Sequence, residues 1–120
     1  MFGGNTWVDC DHAVTSVLSV SPCSNNSSTQ PVGSKPLGAS PYGAMDMSGN
    51  AWEWVEDDYH DAYTSAPIDG TAWIDTPRGS QRVLRGGSWF DFDTKNLRVY
   101  RRIGDNPTNP NNEAGFRCAQ

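Results

Sequence analysis

The sequence has few apolar residues and no long apolar run. Only 36% of its 120 residues are hydrophobic, and no run approaches the roughly 20 residues that a membrane-spanning helix needs. These absences argue against a membrane partner and predict a soluble protein with a small core. The N-terminal residues also lack the charged and apolar regions of a secretory signal. They indicate a chain that stays inside the cell or a mature form, and the compartment stays open.

Positive charge is scarce as well. Nine Lys and Arg residues face fourteen Asp and Glu residues, which gives a net charge of -5. A general nucleic-acid-binding protein would present a basic face, so nucleic acid is not an expected partner. Six arginines still fall between residues 78 and 102. They form either a local basic patch or the counter-charges of the acids in residues 53–61; they are Arg78, Arg82, Arg85, Arg98, Arg101 and Arg102.

Thiols and imidazoles are also few, with three cysteines and two histidines. The sequence contains no CxxC pair and no Cys/His cluster with zinc spacing, and His12 and His60 stand in no recognisable triad signature. Cys10 and Cys23 either form a disulfide, which would contribute on the order of 3 kcal/mol, or remain reduced. The third cysteine, Cys118, lies near the C-terminus.

Turn-forming residues and short alternating segments are what the sequence has in abundance. The length is that of one domain, residues 1–120. The alternation in "AWEWVEDDY" predicts a half-buried strand, and "RVLRGGSWF" predicts a strand broken by Gly86 and Gly87. "NLRVYRRI" has strand-like alternation, and "GFRCA" predicts a last short strand. Five tryptophans are expected to supply much of the core. The pattern predicts an irregular α+β domain with short strands and long loops.

Residues 60–81 hold several turn signals and predict a long surface connection. Loops of this length are often functional or held by their own aromatic anchors, here Tyr63 and Trp73.

The stretch "MDMSGNAWEWVEDD" combines carboxylates, a Ser-Gly-Asn turn and two tryptophans. Ca²⁺ binds carboxylate and backbone carbonyl oxygens, and Asp46, Gly49, Ala51 and Glu53 could supply two of each if the turn is tight. The alternative is a plain turn that enters a strand.

Two catalytic or binding interpretations of the same stretch are weaker. A glycosidase would use two of its acids as an acid–base pair, but an acidic run is usually a solvated face. Stacking of sugars on Trp52 and Trp54 is disfavoured because alternation puts the two rings on opposite faces, so at least one should lie in the core.

Four motifs follow one another in the chain: "SPYGAMDMSGNAWEWVEDDY", "RVLRGGSWF", "LRVYRR" and "NNEAGFRCA". In this order they resemble the formylglycine-generating enzyme (sulfatase-modifying factor) family, from about Thr29 to the C-terminus. The resemblance implies an elaborated, loop-rich C-type-lectin-like fold that is stabilised by calcium. Family members usually carry a further N-terminal portion, so the chain is expected to be N-terminally truncated relative to them. Apolar surface exposed in this way could be covered by a second copy of the chain in a homodimer.

The resemblance also implies ligands and an altered catalytic centre. The family's calcium ligands match the side chains of Asp46 and Glu53 and the carbonyls of Gly49 and Ala51. A second calcium site would begin at Asn5 and Thr6, with its acidic partner expected in the loop before Thr29. The oxidising members hold copper with two cysteines, since soft thiolates select Cu(I).

The matching positions here are Asp91 and Asn96, so copper-dependent oxidation is not expected. Cys118 matches a position where the family's thiol is buried or paired. No copper or iron is expected, because an iron site needs histidine and carboxylate ligands and this sequence has only two histidines, His12 and His60.

The expected function is therefore a non-catalytic, calcium-stabilised module that binds an unknown ligand or protein. Its candidate surface replaces the cysteine site and comprises Phe90, Asp91, Phe92, Asp93, Lys95, Asn96, Arg101 and Arg102. One alternative is that Phe90 or Phe92 fills core while the acids keep the loop soluble. Another is an enzyme of the same family with altered oxidative chemistry, and a third is a folded remnant of a larger gene without a selected ligand.

Overall fold

The computed structural model of the chain describes residues 9–16, 23 and 28–118. Four strands form the regular structure of this part: β1 (Trp52–Asp58), β2 (Arg82–Arg85), β3 (Arg102–Asp105) and β4 (Ala114–Gly115). Two short 3₁₀ helices span Pro36–Gly38 and Thr94–Leu97. Turns and irregular segments make up the rest of the described chain, as the predicted loop-rich α+β class requires. The C-type-lectin-like detail stays a prediction.

The strands form one curled, mixed sheet in the order β3-β2-β1-β4. β2 runs antiparallel to both β1 and β3, whereas β4 runs parallel to β1, with Gly115 opposite Glu53. The prediction of antiparallel strands is therefore correct for three strands and wrong for the fourth. β4 follows a long polar loop, which gives the chain room to return and pair in the parallel sense.

The predicted first strand is confirmed as β1. Trp52 is 4% exposed and Trp54 is half-buried, in agreement with the expectation that one of these rings lies in the core. β2 ends where Gly86 and Gly87 adopt φ angles of +94° and +76°. Such angles are disfavoured for residues with a Cβ. The predicted strand "RVLRGGSWF" is therefore realised only as β2, and residues 88–90 do not continue it beyond the glycine pair.

The core is mainly aliphatic, and this corrects the expectation that tryptophans would supply it. Of the tryptophans that the structure describes, only Trp52 is buried. The remaining buried apolar residues are Ala13, Val14, Cys23, Val83, Leu84 and Leu97. The segment 13–16 is buried throughout and lies against the turn before β1, because Asn50 N donates to Val14 O at 2.8 Å.

The long connection 60–81 is anchored on the end of β1. Asp57 Oδ1 accepts a hydrogen bond from Trp73 N at 2.9 Å, and Asp58 N donates to Trp73 O at 2.8 Å. Asp58 is completely buried, with Arg78 Nε 2.9 Å from its carboxylate and Arg82 also paired with it. The interpretation of the acids after Trp54 as a solvated face is therefore wrong for Asp58, because two arginines compensate its charge.

The strand-like alternation in "NLRVYRRI" is only partly realised. Its first two residues, Asn96 and Leu97, end a 3₁₀ helix that is capped by Asp93, and the strand begins only at Arg102. The last strand was predicted at "GFRCA", but β4 is Ala114–Gly115 and shares only Gly115 with that segment. No helix in the described segments has the length and apolar character needed to cross a membrane.

Candidate functional site

The turn before β1 is tight, as the calcium interpretation requires. Asp46, Gly49 and Asn50 all adopt positive φ angles, of 55°, 81° and 70°. A Cβ at Gly49 would lie 2.4 Å from Val14 O, so only glycine fits there. The Asn50 side chain holds the preceding loop by hydrogen bonds to Gln30 N and O at 2.8 and 3.2 Å.

The structure brings Asp46 and Glu53 to one guanidinium, that of Arg117. Arg117 Nε donates to both carboxylate oxygens of Glu53 at 2.8 and 2.7 Å. Its Nη2 donates to Glu53 Oε1 and to the carbonyls of Met45 and Asp46, the latter two at 3.0 and 3.3 Å. Oxygen atoms from the turn and from β1 therefore converge on a positive charge. The Asp46 carboxylate also accepts a hydrogen bond from Gly33 N at 2.7 Å.

Arg117 was missed by the sequence reasoning. Hydrogen bonding to Glu53 raises the pKa of Arg117, and the nearby charges of Glu53 and Asp46 add to this effect against desolvation. Arg117 stands two residues after Gly115, the β4 residue that is paired with Glu53. No local sequence pattern indicates this contact, because Glu53 and Arg117 are far apart in the chain.

The oxygens at the turn are of the kind that calcium binds, namely carboxylates and backbone carbonyls. Arg117 pairs with the Glu53 carboxylate, whereas the Asp46 carboxylate makes no ion pair with any described residue. The Glu53 carboxylate would be shared between Arg117 and the ion. The predicted second calcium site, at Asn5 and Thr6, lies outside the described residues.

The cysteines behave differently from one another. Cys10 and Cys23 form a disulfide with their Cα atoms 4.7 Å apart. Cys118 is a free, exposed thiol, so the family-based expectation that it is buried or paired is wrong. It lies three residues beyond the end of β4.

The two positions that match the family's copper cysteines lie in direct contact. Asn96 Nδ2 donates a hydrogen bond to Asp91 Oδ1. Asp91 Oδ2 accepts from Ser88 N at 2.6 Å and lies 3.2 Å from Ser88 Oγ. Ser88 is completely buried, and its hydroxyl also donates to Glu113 Oε2 at 2.9 Å. Asp91, Asn96, Ser88 and Glu113 therefore form one hydrogen-bonded network of carboxylate, amide and hydroxyl groups. The sequence did not predict that Ser88 and Glu113 belong to it.

Asp91 also fixes its loop to the buried segment 13–16. Its carbonyl accepts from Ser16 N at 3.1 Å and from Thr15 Oγ1 at 3.0 Å. Ser16 Oγ donates to Trp89 O at 2.8 Å. The loop after the Gly86-Gly87 break is therefore held from below by the core.

The aromatic side chains of this loop point outward. Phe90 is 48% exposed and Phe92 is 63% exposed. Their ring centroids lie 5.1 Å apart in an edge contact, and Phe90 makes a similar contact with Trp89 at 5.3 Å. The alternative that Phe90 or Phe92 fills the core is thus wrong.

The remaining candidate residues, Asp93, Lys95, Arg101 and Arg102, make three kinds of contact. Asp93 caps the second 3₁₀ helix by accepting from Lys95 N at 2.9 Å, and its carboxylate lies 3.8 Å from Lys95 Nζ. Arg101 Nε donates to Asn96 Oδ1 at 3.2 Å and so joins the Asp91 network. Arg102 instead stacks on aromatic rings, with its guanidinium carbon 3.9 Å from the centre of the Tyr63 ring.

Both histidines are engaged away from this network. His12 Nδ1 lies 2.5 Å from Asp9 Oδ1, and His60 stacks on Trp73 and lies 3.1 Å from an oxygen of Asp75. Across residues 9–16, 23 and 28–118, no three His, Cys, Asp or Glu side chains are grouped so that they could hold a metal ion. Any calcium at the turn would depend on backbone oxygens.

Comparisons with known proteins agree on one family. The profile of the family described as "Sulfatase-modifying factor enzyme 1-like domain" matches residues 5–120. The serine/threonine-protein kinase Pkn1 of Chlamydia trachomatis serovar L2 is 42% identical over 96 residues, which are 79% of this chain. The formylglycine-generating enzyme of Streptomyces coelicolor is 37% identical over 100 residues, or 77% of this chain.

A solved structure agrees with the sequence comparisons. PvdO from Pseudomonas aeruginosa superposes with a TM-score of 0.75 at 32% identity over 95% of this chain. The matched part makes up 15% of the chlamydial protein, 29% of the Streptomyces protein and 41% of the PvdO chain.

Proposed function

The chain belongs to the sulfatase-modifying factor (formylglycine-generating enzyme-like) family, and we propose that it is a non-catalytic, calcium-stabilised module that binds a ligand or partner protein. One observation carries this proposal. Asp91 and Asn96, at the positions that match the family's copper-binding cysteines, are hydrogen-bonded to each other inside a polar network. A carboxylate and an amide are hard donors and do not replace the soft thiolates that select Cu(I).

The surroundings of this pair support the same proposal. Within the described segments, His12 lies against Asp9, His60 lies against Asp75, and Cys10 is bonded to Cys23. The alternative of altered oxidative chemistry gains no support from these contacts.

A calcium role is supported by the turn before β1. Asp46 and Glu53 would offer carboxylate oxygens, and Gly49 and Ala51 would offer carbonyls, in a loop that positive φ angles already keep tight. A bound ion would join the turn to the first strand and so stabilise the edge that carries β4. Its role here would be structural.

The binding role rests on the surface that surrounds the former cysteine positions. Phe90 and Phe92 are exposed on a loop that the Asp91 network holds rigid, and Asp93, Lys95 and Arg101 line the same segment. Exposed side chains on a loop held by a rigid scaffold are where binding function usually lies. Exposed aromatic rings bury a large apolar area in an interface at low entropic cost.

Incubation of the purified chain with a cysteine-containing sulfatase peptide, Cu(I), oxygen and a thiol reductant tests the non-catalytic part. Mass spectrometry should find the peptide cysteine unchanged, while the Streptomyces coelicolor enzyme serves as the positive control. Conversion of the cysteine to an aldehyde by this chain would refute the proposal. Elemental analysis of protein purified without added metals should find calcium, and stoichiometric copper or iron would point to the enzyme alternative.

The homodimer expected from the sequence stays a prediction. Light scattering at high protein concentration checks it, and a monomer at every concentration would remove it.

A further inference from the structure

The arginines of this acidic chain divide into two sets according to their partners. The first set pairs with carboxylates: Arg78 with Glu56 and Asp58, Arg82 with Asp58, and Arg117 with Glu53. The second set makes no ion pair with any described carboxylate and comprises Arg85, Arg98, Arg101 and Arg102. The sequence left open whether the arginines neutralise the acids or form a basic patch. The first set neutralises acids, and the second set remains available for a patch.

The second set is held by neutral groups. Arg85 Nη2 donates to the carbonyl of Val99, and Arg98 Nη1 donates to the Tyr100 hydroxyl at 2.6 Å. Arg101 donates to an amide oxygen, and Arg102 stacks on a tyrosine ring. Each guanidinium therefore keeps its full positive charge and has donors left for a carboxylate.

These four arginines occupy neighbouring positions: Arg85 is paired with Arg102 across β2 and β3, and Arg98 and Arg101 directly precede β3 in the chain. Tyr63 Oη donates to Tyr100 O at 3.1 Å, so the ring under Arg102 joins the segment that carries Arg98. Tyr63 is 53% exposed and Tyr100 is 60% exposed. β3 is an edge strand of the sheet that the described residues form. We call this surface the arginine face and define it by Arg85, Arg98, Arg101, Arg102, Tyr63 and Tyr100.

We infer that the arginine face binds an acidic segment of a partner protein; this deepens the proposed binding role and rests on it. Uncompensated guanidiniums in a chain of net charge -5 are complementary to carboxylates, which arginine binds through its planar fork. Arginine and tyrosine are also the residue types that dominate binding energy at protein interfaces. Nucleic acid carries charge of the same sign, so the test compares it directly with an acidic peptide.

Fluorescence anisotropy with labelled synthetic peptides tests this inference. The probes are an Asp/Glu-rich peptide that contains tyrosine, a neutral peptide and a basic peptide of equal length, and a single-stranded DNA oligonucleotide. The acidic peptide should bind, and raising the salt concentration should weaken it, because its contacts are partly exposed charges. Absence of acidic-peptide binding, or tighter binding of DNA, would overturn the inference.

Variants locate the binding. Arg98→Gln with Arg101→Gln breaks no ion pair in the described structure, so the melting temperature should stay near that of the wild type. Each exposed ion pair contributes up to about fivefold in affinity, so the double variant should weaken acidic-peptide binding by up to about 25-fold. Lys35→Gln removes a positive charge outside the face and should leave the affinity unchanged. An equal loss of affinity in the double variant and in Lys35→Gln would contradict the assigned location.

The outcomes separate this inference from the proposed function. Conversion of the cysteine peptide refutes the non-catalytic proposal, whatever the acidic peptide does. If only the neutral peptide binds, and Phe90→Ser with Phe92→Ser abolishes that binding, the binding role stands and the acidic class of partner is wrong.

Discussion

Gly87 marks the closest approach between the turn after β2 and the second 3₁₀ helix, and Gly87→Ala should destabilise the protein strongly. A Cβ at this position would lie 2.7 Å from Leu97 Cδ2 and 3.1 Å from the carbonyl oxygen of Asn96. The same turn leads into Ser88 and Asp91. The substitution should therefore disturb both the core and the base of the candidate surface.

The magnitude follows from two contributions. A non-glycine residue at positive φ costs about 1–2 kcal/mol, and forcing an extra methyl into a packed contact costs about 1–3 kcal/mol more. A more restricted unfolded chain returns about 0.4–1 kcal/mol. The expected loss in the free energy of unfolding for Gly87→Ala is thus about 2–4 kcal/mol.

Gly33→Ala is the matched control. Gly33 has a φ of +75° against +76° for Gly87, but no atom lies within 4 Å of the position of its Cβ. The backbone strain therefore cancels in the comparison and leaves the steric contact, about 1–3 kcal/mol. For a chain of this size that difference corresponds to roughly 4–12 °C in melting temperature.

Thermal and urea unfolding followed by circular dichroism measure both variants. If Gly87→Ala melts no lower than Gly33→Ala, the close approach between the turn and the 3₁₀ helix is not a feature of the folded protein. In that case the rigid base assigned to the candidate surface would also lose its support.

Three further predictions concern the metal, the pH dependence and the former cysteine positions. Excess chelator should lower the melting temperature and added calcium should restore it. At a calcium concentration a hundredfold above Kd, binding should stabilise the folded protein by about 2.7 kcal/mol. Glu53→Gln should abolish this response and Glu56→Gln should keep it, whereas an unchanged wild-type melting temperature in chelator would contradict the site. Burial raises the pKa of Asp58, but the hydrogen bond from Asp75 N and the guanidiniums of Arg78 and Arg82 outweigh it and hold that pKa below its ordinary value. The stability that Asp58 contributes should be complete above about pH 4, the unfolded value, and be lost as the pH falls through the lower folded pKa; urea unfolding between pH 2 and 7 should show this for the wild type, and an Asp58→Asn variant with the same pH profile would refute it. Asp91→Cys combined with Asn96→Cys should bind one Cu(I) in a chelator competition assay, since the two side chains already touch, and retention no greater than in either single variant would show that the positions do not converge.

The sequence predicted those parts of the fold that depend on local pattern. The alternation of Trp52, Glu53 and Trp54 indicates β1 because period-two burial belongs to strands. Gly86 and Gly87 indicate a break in the second strand because positive φ selects glycine, although the strand ends there instead of continuing. The loop content also follows from composition, and the ordered set of motifs indicated the family.

The parts that sequence reasoning missed depend on partners far away in the chain. Asp58 looks like a surface acid until Arg78 and Arg82 fold back onto it, some 20 residues later. Arg117 meets Glu53 only because β4 returns parallel to β1. Charge pairing of this kind leaves no local pattern, so a sequence predicts the number of charges but not which of them remain uncompensated.

The hydrogen bonds of Asp91 have a consequence for the thermodynamics of recognition. They join the loop of Phe90 and Phe92 to the segment at Thr15 and Ser16 before any ligand arrives. A loop that is already ordered loses little conformational entropy on binding, so more of the contact energy is realised as affinity. Association should then resemble rigid docking, with a heat-capacity change that reflects only the apolar area buried between the two surfaces.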